Sequence, residues 1–257
     1  MISTVQAIIL GVVEGLTEYL PVSSTGHLIL ASHFMGLQGE AVKTFEIVIQ
    51  AGAIAAVILL YRGRFRSKRL LLNLFVSFLP AAVVGLLFHR WIKAHLFTTW
   101  PVIIALAVGG VFMVAMDSRL QNSSRRFGAT IDSLGLGQAF LIGLAQCLSL
   151  WPGTSRAMVT IVAALLLGLS AMEAAEYSFL LALPTLGAAT LFDFIKEGVG
   201  LFHDVGFLPI ACGFVTAGIV AALAIRGFIR YLTRQGLAPF GWYRIALAAV
   251  VWGFGPI

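Results

Sequence analysis

Charge is what this chain has least of: seventeen Lys and Arg and eleven Asp and Glu among 257 residues, 11% of the total. A water-facing surface needs roughly a quarter of its residues charged, so a soluble globular domain is excluded. Cysteine is nearly missing too. Cys147 and Cys212 each lie in an apolar segment, which excludes a disulfide scaffold and leaves them as free packing residues. No Lys or Arg precedes Lys43, so the basic start of a cleaved signal peptide is missing and nothing holds the N-terminus in the cytoplasm. Short segments of alternating polarity are missing as well, which argues against a β-barrel. What remains is apolar: 60% hydrophobic residues and a mean hydropathy of +0.98. The expected class is an all-α polytopic membrane protein.

The net charge of +6 does not point to nucleic acid, because its distribution is that of membrane loops. Eleven of the seventeen basic residues fall in three short connections: Arg62, Arg64, Arg66, Lys68 and Arg69; Arg119, Arg125 and Arg126; Arg226, Arg230 and Arg234. Such clusters mark the cytoplasmic side. Six stretches are long enough, or nearly so, to span a bilayer at about 20 residues each: 43–61, 70–89, 99–116, 174–193, 206–225 and 239–256. The other apolar segments form two broken pairs, 3–20 with 24–37 and 138–151 with 156–170, several too short to cross. Each pair breaks at a proline among hydroxyl residues and reads as a re-entrant hairpin lining a polar cavity; two pairs of complete spans are the alternative.

The two hairpins echo each other 132 residues apart. Gln6, Ala7, Gly11 and Glu14 fall on Gln138, Ala139, Gly143 and Gln146, and the loss of one residue brings Pro21 onto Pro152. Placing the basic loops inside makes the first hairpin start outside and the second inside. With three spans per repeat, the expectation is an inverted-topology repeat, about 1–116 and 130–257 within one membrane domain, with both termini outside. The outer connections agree. Residues 90–98 hold only Arg90 and Lys93, and 194–205 balances Lys196 with Glu197 and Asp204.

Ionisable residues at membrane depth are costly and so suggest function. Glu14 and Glu18, four apart, share a helix face and need a proton or cation between them. Mg²⁺ suits few carboxylates plus phosphate oxygens; an interhelical hydrogen-bonded pair is the plainer role. Ser23, Ser24 and Thr25 begin the half-helix after Pro21, where at least one serves as an N-cap, and His27 follows one turn on. The segment Pro152-Gly153-Thr154-Ser155-Arg156 starts another half-helix, now with a guanidinium suited to holding two phosphate oxygens, and Thr160 lies on the face of Arg156. An ion pair of Arg156 with Glu14 or Glu18 is the plainer alternative. Glu46 and Glu176 occupy similar places after each hairpin and read as helix-packing residues, and Gln50 lies at the edge of the same span as Glu46.

Glu14-x₃-Glu18 with Pro21-Val22-Ser23-Ser24-Thr25-Gly26-His27, and Pro152-Gly153-Thr154-Ser155-Arg156 with Thr160, resemble the two signatures of the bacterial undecaprenyl-diphosphate phosphatases, the bacitracin-resistance proteins. The similarity extends over the chain in length, span pattern and duplication. It departs at Ala157, where the family commonly has a second Ser. The resemblance implies an enzyme of the bacterial inner membrane that removes the terminal phosphate of a C55 isoprenyl diphosphate, needs Mg²⁺ or Ca²⁺, and uses the acidic motif, the Ser and His after it, and the Ser-Arg-x₃-Thr segment.

The residues themselves support phosphoryl transfer. Arg156, the helix N-termini with Ser23, Thr25, Gly153, Thr154, Ser155 and Thr160, and a cation on Glu14 and Glu18 would neutralise and position phosphate. The nucleophile is either Ser24, with Glu18 or His27 as base, or a metal-activated water. The expected partners are the membrane and the isoprenyl diphosphate lipid, with a homodimer a possible assembly and the cavity open to the outer face. The rival class is an inverted-repeat transporter or flippase for a phosphorylated lipid or small anion, in which the acid pair would hold H⁺ or Na⁺.

Overall fold

A computed structural model describes the backbone of residues 2–96 and 98–253, and within these all side chains except 93, 99, 123–127 and 193–204. Lys93, Arg125, Arg126, Lys196, Glu197 and Asp204, part of the loop-charge argument, therefore lie outside the described side chains. Ten α-helices make up the described regular structure, with a few 3₁₀ turns and one isolated bridge between Ala129 and Leu169. They are α1 (Thr4–Thr17), α2 (Ser24–Phe34), α3 (Glu40–Leu60), α4 (Lys68–His95), α5 (Thr99–Phe127), α6 (Leu136–Gln146), α7 (Arg156–Leu166), α8 (Ala171–Asp204), α9 (Phe207–Gln235) and α10 (Ala238–Gly253). Five of them, α3, α4, α5, α8 and α9, contain stretches long and apolar enough to cross a membrane. The sixth expected span, 239–256, coincides with α10 as far as Gly253, and its last residues are not described. The long helices overrun the expected spans; α9 continues to Gln235, with Phe228 and Leu232 of its last turns still buried in the core.

The two broken pairs are α1 with α2 and α6 with α7, and they share several contacts at matching positions. Gln6 Oε1 accepts from the Ser3 N–H at 2.9 Å while its Nε2 reaches the Met35 carbonyl. Gln138 does the same with the Gly135 N–H, at 3.0 Å, and the Leu167 carbonyl. Gly36 and Gly168 both take positive φ where α2 and α7 end. At the breaks, Ser23 (φ 71°) and Ser155 (φ 72°) are the two described non-glycine residues with positive φ. All these pairs keep the offset of 132 without a gap. The proline register is therefore corrected: Pro21 lies opposite Gly153, Ser23 opposite Ser155 and Ser24 opposite Arg156. The backbone follows the strained serines because that sharp turn, not the ring of proline, sets the direction of the next half-helix.

Each hairpin packs against the other half of the chain. Helix α1 lies along α9, and α6 along α4. Both contacts are backbone-close and need glycine. A Cβ on Gly11 would stand 2.6 Å from the Gly213 carbonyl, one on Gly15 2.6 Å from that of Ala217, and one on Gly143 would run into the backbone of Ser77. Small residues four apart let helices approach this way in the absence of a hydrophobic drive. The central helices α3 and α8 pack on each other, and α5 packs on α10.

The basic connections gather at one end. Arg64 reaches Glu176 at 2.5 Å, Glu173 at 3.7 Å and Asp132 at 3.8 Å, joining the turn after α3 to the turn before α6 and the start of α8. Asp117 accepts from the Leu237 N–H at 2.6 Å, bringing the α9–α10 turn to the same end. Glu176 is thus held in a packing contact, as expected, and so is Glu46, which accepts from Ser32 Oγ at 3.0 Å.

Candidate functional site

The two breaks meet. A cavity of about 770 Å³ is lined by Glu18, Ser23, Ser24 and Thr25 from the first hairpin and by Gly153, Ser155 and Arg156 from the second. Both half-helix N-termini thus face one space, where orphan N–H groups and helix dipoles favour an anion. The wall is completed by α3, α4 and α8, with Phe78, Leu86, Leu186 and Phe192 on its apolar side and Gln50, His89, Arg90 and Thr185 among its polar groups.

A hydrogen-bonded chain crosses the site. Ser24 Oγ donates to Glu18 Oε2 at 2.6 Å, and Arg156 Nη2 donates to Glu18 Oε1 at 3.1 Å. Arg156 is otherwise held by Nη1, which donates to the Ser178 carbonyl at 2.7 Å, and its Cζ lies 5.9 Å from the centre of the Tyr19 ring. Its Nε–H is buried and has no partner, a donor that fits a phosphate oxygen. Equivalent positions of the duplicated break have diverged here: the residue after the strained serine is a hydroxyl in one hairpin and a guanidinium in the other.

Four of the sequence-predicted residues stand behind the cavity wall rather than on it. Thr160 is fully buried; its Oγ1 lies 2.6 Å from Ser178 Oγ and 2.9 Å from the Arg156 carbonyl, so it braces the arginine. The Thr154 carbonyl faces Arg244. His27 is engaged at both ring nitrogens, 2.7 Å from the Ser23 carbonyl and 2.7 Å from the Tyr243 hydroxyl. Glu14 is buried below Glu18. The expected side-chain N-cap on the first break is corrected as well. Ser23 occupies the cap position without a capping bond, and Ser24 is committed to Glu18; in the second break Ser155 does cap, accepting from the Met158 N–H. Ala157 packs in the apolar core, away from the cavity.

No group of three or more His, Cys, Asp or Glu side chains converges among the described residues. The acid pair nevertheless suits a cation. Both Glu18 oxygens are engaged, whereas both Glu14 oxygens are buried without any partner. An unpaired buried carboxylate is costly, and either a proton or a divalent cation sharing its remaining positions with phosphate oxygens and water would relieve it.

Sequence reasoning missed Gln50, His89, Arg90 and Thr185 on the cavity wall, Ser178 behind Arg156, and Arg244. Arg244 carried a signal, a lone arginine inside an apolar span, of the same kind that singled out Arg156. The others are ordinary polar residues at span edges.

Known proteins resemble this chain over nearly its whole length. The family profile described as bacitracin resistance protein BacA matches residues 7–250. An undecaprenyl-diphosphatase of Sorangium cellulosum is 52% identical over 95% of this chain and 84% of its own length. One from Nitrosomonas europaea is 45% identical over 96% and 92%, and one from Solidesulfovibrio magneticus 45% identical over the full length of both. This chain is a multi-pass membrane protein and belongs to the bacitracin resistance protein BacA family.

Proposed function

We propose that this protein is an undecaprenyl-diphosphatase, hydrolysing undecaprenyl diphosphate to undecaprenyl phosphate and inorganic phosphate. The observation that carries the reading is the chain Ser24–Glu18–Arg156 on the wall of a cavity into which two helix N-termini point. A hydroxyl, a carboxylate and a guanidinium in contact are the parts a phosphoryl transfer requires. The terminal phosphate sits between the two breaks, its oxygens taken by Arg156 and the N–H groups around Ser23, Thr25, Gly153 and Ser155. Ser24 Oγ attacks the terminal phosphorus, its proton passes to Glu18, and the bond to the bridging oxygen breaks to release undecaprenyl phosphate. Water then cleaves the phosphoserine and inorganic phosphate leaves. Glu18 is favoured as base over His27, whose ring nitrogens are already engaged. Glu14 and Glu18 would hold Mg²⁺ or Ca²⁺, which when bound neutralises phosphate charge.

The isoprenoid tail lies against Phe78, Leu86 and Leu186 and leaves sideways between α4 and α8. The cavity opens away from the cytoplasm of the bacterial inner membrane. His89 and Arg90 on its wall stand 20 residues or more along α4 from Arg69, roughly 30 Å from the basic end at 1.5 Å per residue. The architecture proposed is six transmembrane helices and two re-entrant hairpins in one domain, residues 1–257, with inverted repeats of about 1–116 and 130–257. The exchanged packing of α1 on α9 and α6 on α4 supports it. Phosphate release from undecaprenyl diphosphate by the purified protein in detergent tests the function. A lipid carrier without hydrolytic activity would release none.

A further inference from the structure

Arg244, on α10, is completely buried, and among the described residues no carboxylate pairs with it. Its five N–H donors are instead matched by five backbone carbonyls. Nε donates to Leu106 O at 3.4 Å, Nη1 to Thr154 O at 2.8 Å and Pro21 O at 3.2 Å, and Nη2 to Ala105 O and Gly153 O at 2.8 Å each. Three of these carbonyls belong to the breaks: Pro21 to the first, Gly153 and Thr154 to the second. One side chain therefore joins the two breaks to each other and to α5. The slot is cut to fit, since a Cβ on Gly109 would stand 2.9 Å from the Arg244 Cζ.

The consequence for the site follows from the peptide bond. It is planar and trans, so each carbonyl drawn toward the guanidinium turns the next residue's N–H the opposite way. Thr154 O faces Arg244, and the Ser155 N–H therefore faces away from it. Gly153 and Ser155 line the cavity and Arg244 does not. The arginine thus holds carbonyl oxygens, which would repel phosphate, behind the breaks and leaves the Ser155 N–H toward the front, while the Thr154 N–H closes a turn on the Trp151 carbonyl. A buried charge offset only by main-chain oxygens is an expensive way to fill space; an apolar side chain would fill it at lower cost.

We propose that Arg244 is a positioning residue of the phosphatase reaction: by clamping the Pro21, Gly153 and Thr154 carbonyls it fixes Ser24 opposite Arg156 and aims the Ser155 N–H at the phosphate. This rests on the phosphatase reading above. The test is steady-state phosphate release from undecaprenyl diphosphate by purified Arg244→Lys protein, with Gly109→Ala as the variant that displaces the guanidinium without removing it. Misplacing reacting groups by about 1 Å costs about a hundredfold, so kcat should fall by about that factor in both variants while KM changes little. In a Ser24→Ala background, where the aligned nucleophile is already gone, Arg244→Lys should lower the residual rate by less than about threefold.

A monodisperse Arg244→Lys protein with wild-type kcat overturns the proposal, and so does a loss that multiplies in full in the Ser24→Ala background. If Arg244→Lys does not yield monodisperse protein, Gly109→Ala decides, and its unchanged kcat overturns the proposal equally. An inactive wild-type protein would instead remove the phosphatase reading itself.

Discussion

Replacing Arg156 by lysine separates a substrate ligand from a structural counter-ion. In the resting site the guanidinium does three things at once. It bonds Glu18 through Nη2 and the Ser178 carbonyl through Nη1, and it leaves Nε–H free. A lysine ammonium is a point charge at the end of a flexible stem. It can pair with Glu18 or hang from Ser178, but it cannot bridge both and also offer a side-by-side pair of donors. Removing one partner of a buried charged contact costs about 2–5 kcal/mol. At about 1.4 kcal/mol per decade that becomes a loss of roughly thirty- to several-thousand-fold in kcat/KM for Arg156→Lys, nearly that of Arg156→Ala. The assay is initial-rate phosphate release against undecaprenyl diphosphate, with thermal unfolding followed in parallel. If the arginine only neutralises Glu18, lysine substitutes for it and the loss appears in the unfolding temperature. An Arg156→Lys enzyme with near-wild-type kcat/KM refutes the assignment.

Glu18→Gln and Glu14→Gln should each lower turnover and weaken the dependence on added Mg²⁺ or Ca²⁺. Glu18 should be the worse, by about a hundred- to ten-thousand-fold if it is the base; metal titration after chelation checks this, and wild-type metal dependence in both variants removes the cation assignment. Ser24→Ala should lower phosphate release more than about a hundredfold while Ser23→Ala and Thr25→Ala are milder; a Ser24→Ala enzyme keeping about a hundredth or more of wild-type turnover shows that water attacks directly. In a background lacking Cys147 and Cys212, a cysteine at exposed Gln38 should label with an impermeant thiol reagent in intact cells and one at exposed Gly63 should not. Labelling at Gly63 but not at Gln38 would reverse the topology.

The breaks were legible in the sequence because they put polar residues where hydropathy demands apolar ones. Glu18 and Arg156 announce themselves by position, whereas Ser24 was one of three adjacent hydroxyls until its contact with Glu18 set it apart, and the matching Gln6 and Gln138 mark the start of each hairpin. The register at the turn was not legible. Proline is conspicuous in a sequence, whereas the left-handed backbone of Ser23 and Ser155 leaves no sign in a residue type that rarely adopts it. The partners of Arg244 were hidden for a related reason: they are main-chain carbonyls, which every residue carries. Gln50, His89 and Arg90 looked like span-edge polarity because their convergence depends on how α3 and α4 are placed across the molecule, and no single segment encodes that.

The exchanged packing of the hairpins also bears on how the protein is made. Gly11 and Gly15 leave the ribosome about 200 residues before the backbone they are shaped to meet, around Gly213 and Ala217. At roughly 5–20 residues per second the first hairpin waits about 10–40 s for its partner helix. During that interval a half-helix carrying two carboxylates has α2 and α3 to pack on but lacks the α9 backbone that its glycines are shaped to meet. The packing of the first hairpin is therefore completed only after α9 is made. Mutations that derail synthesis of the second half therefore leave the glycine face of the first hairpin without its partner.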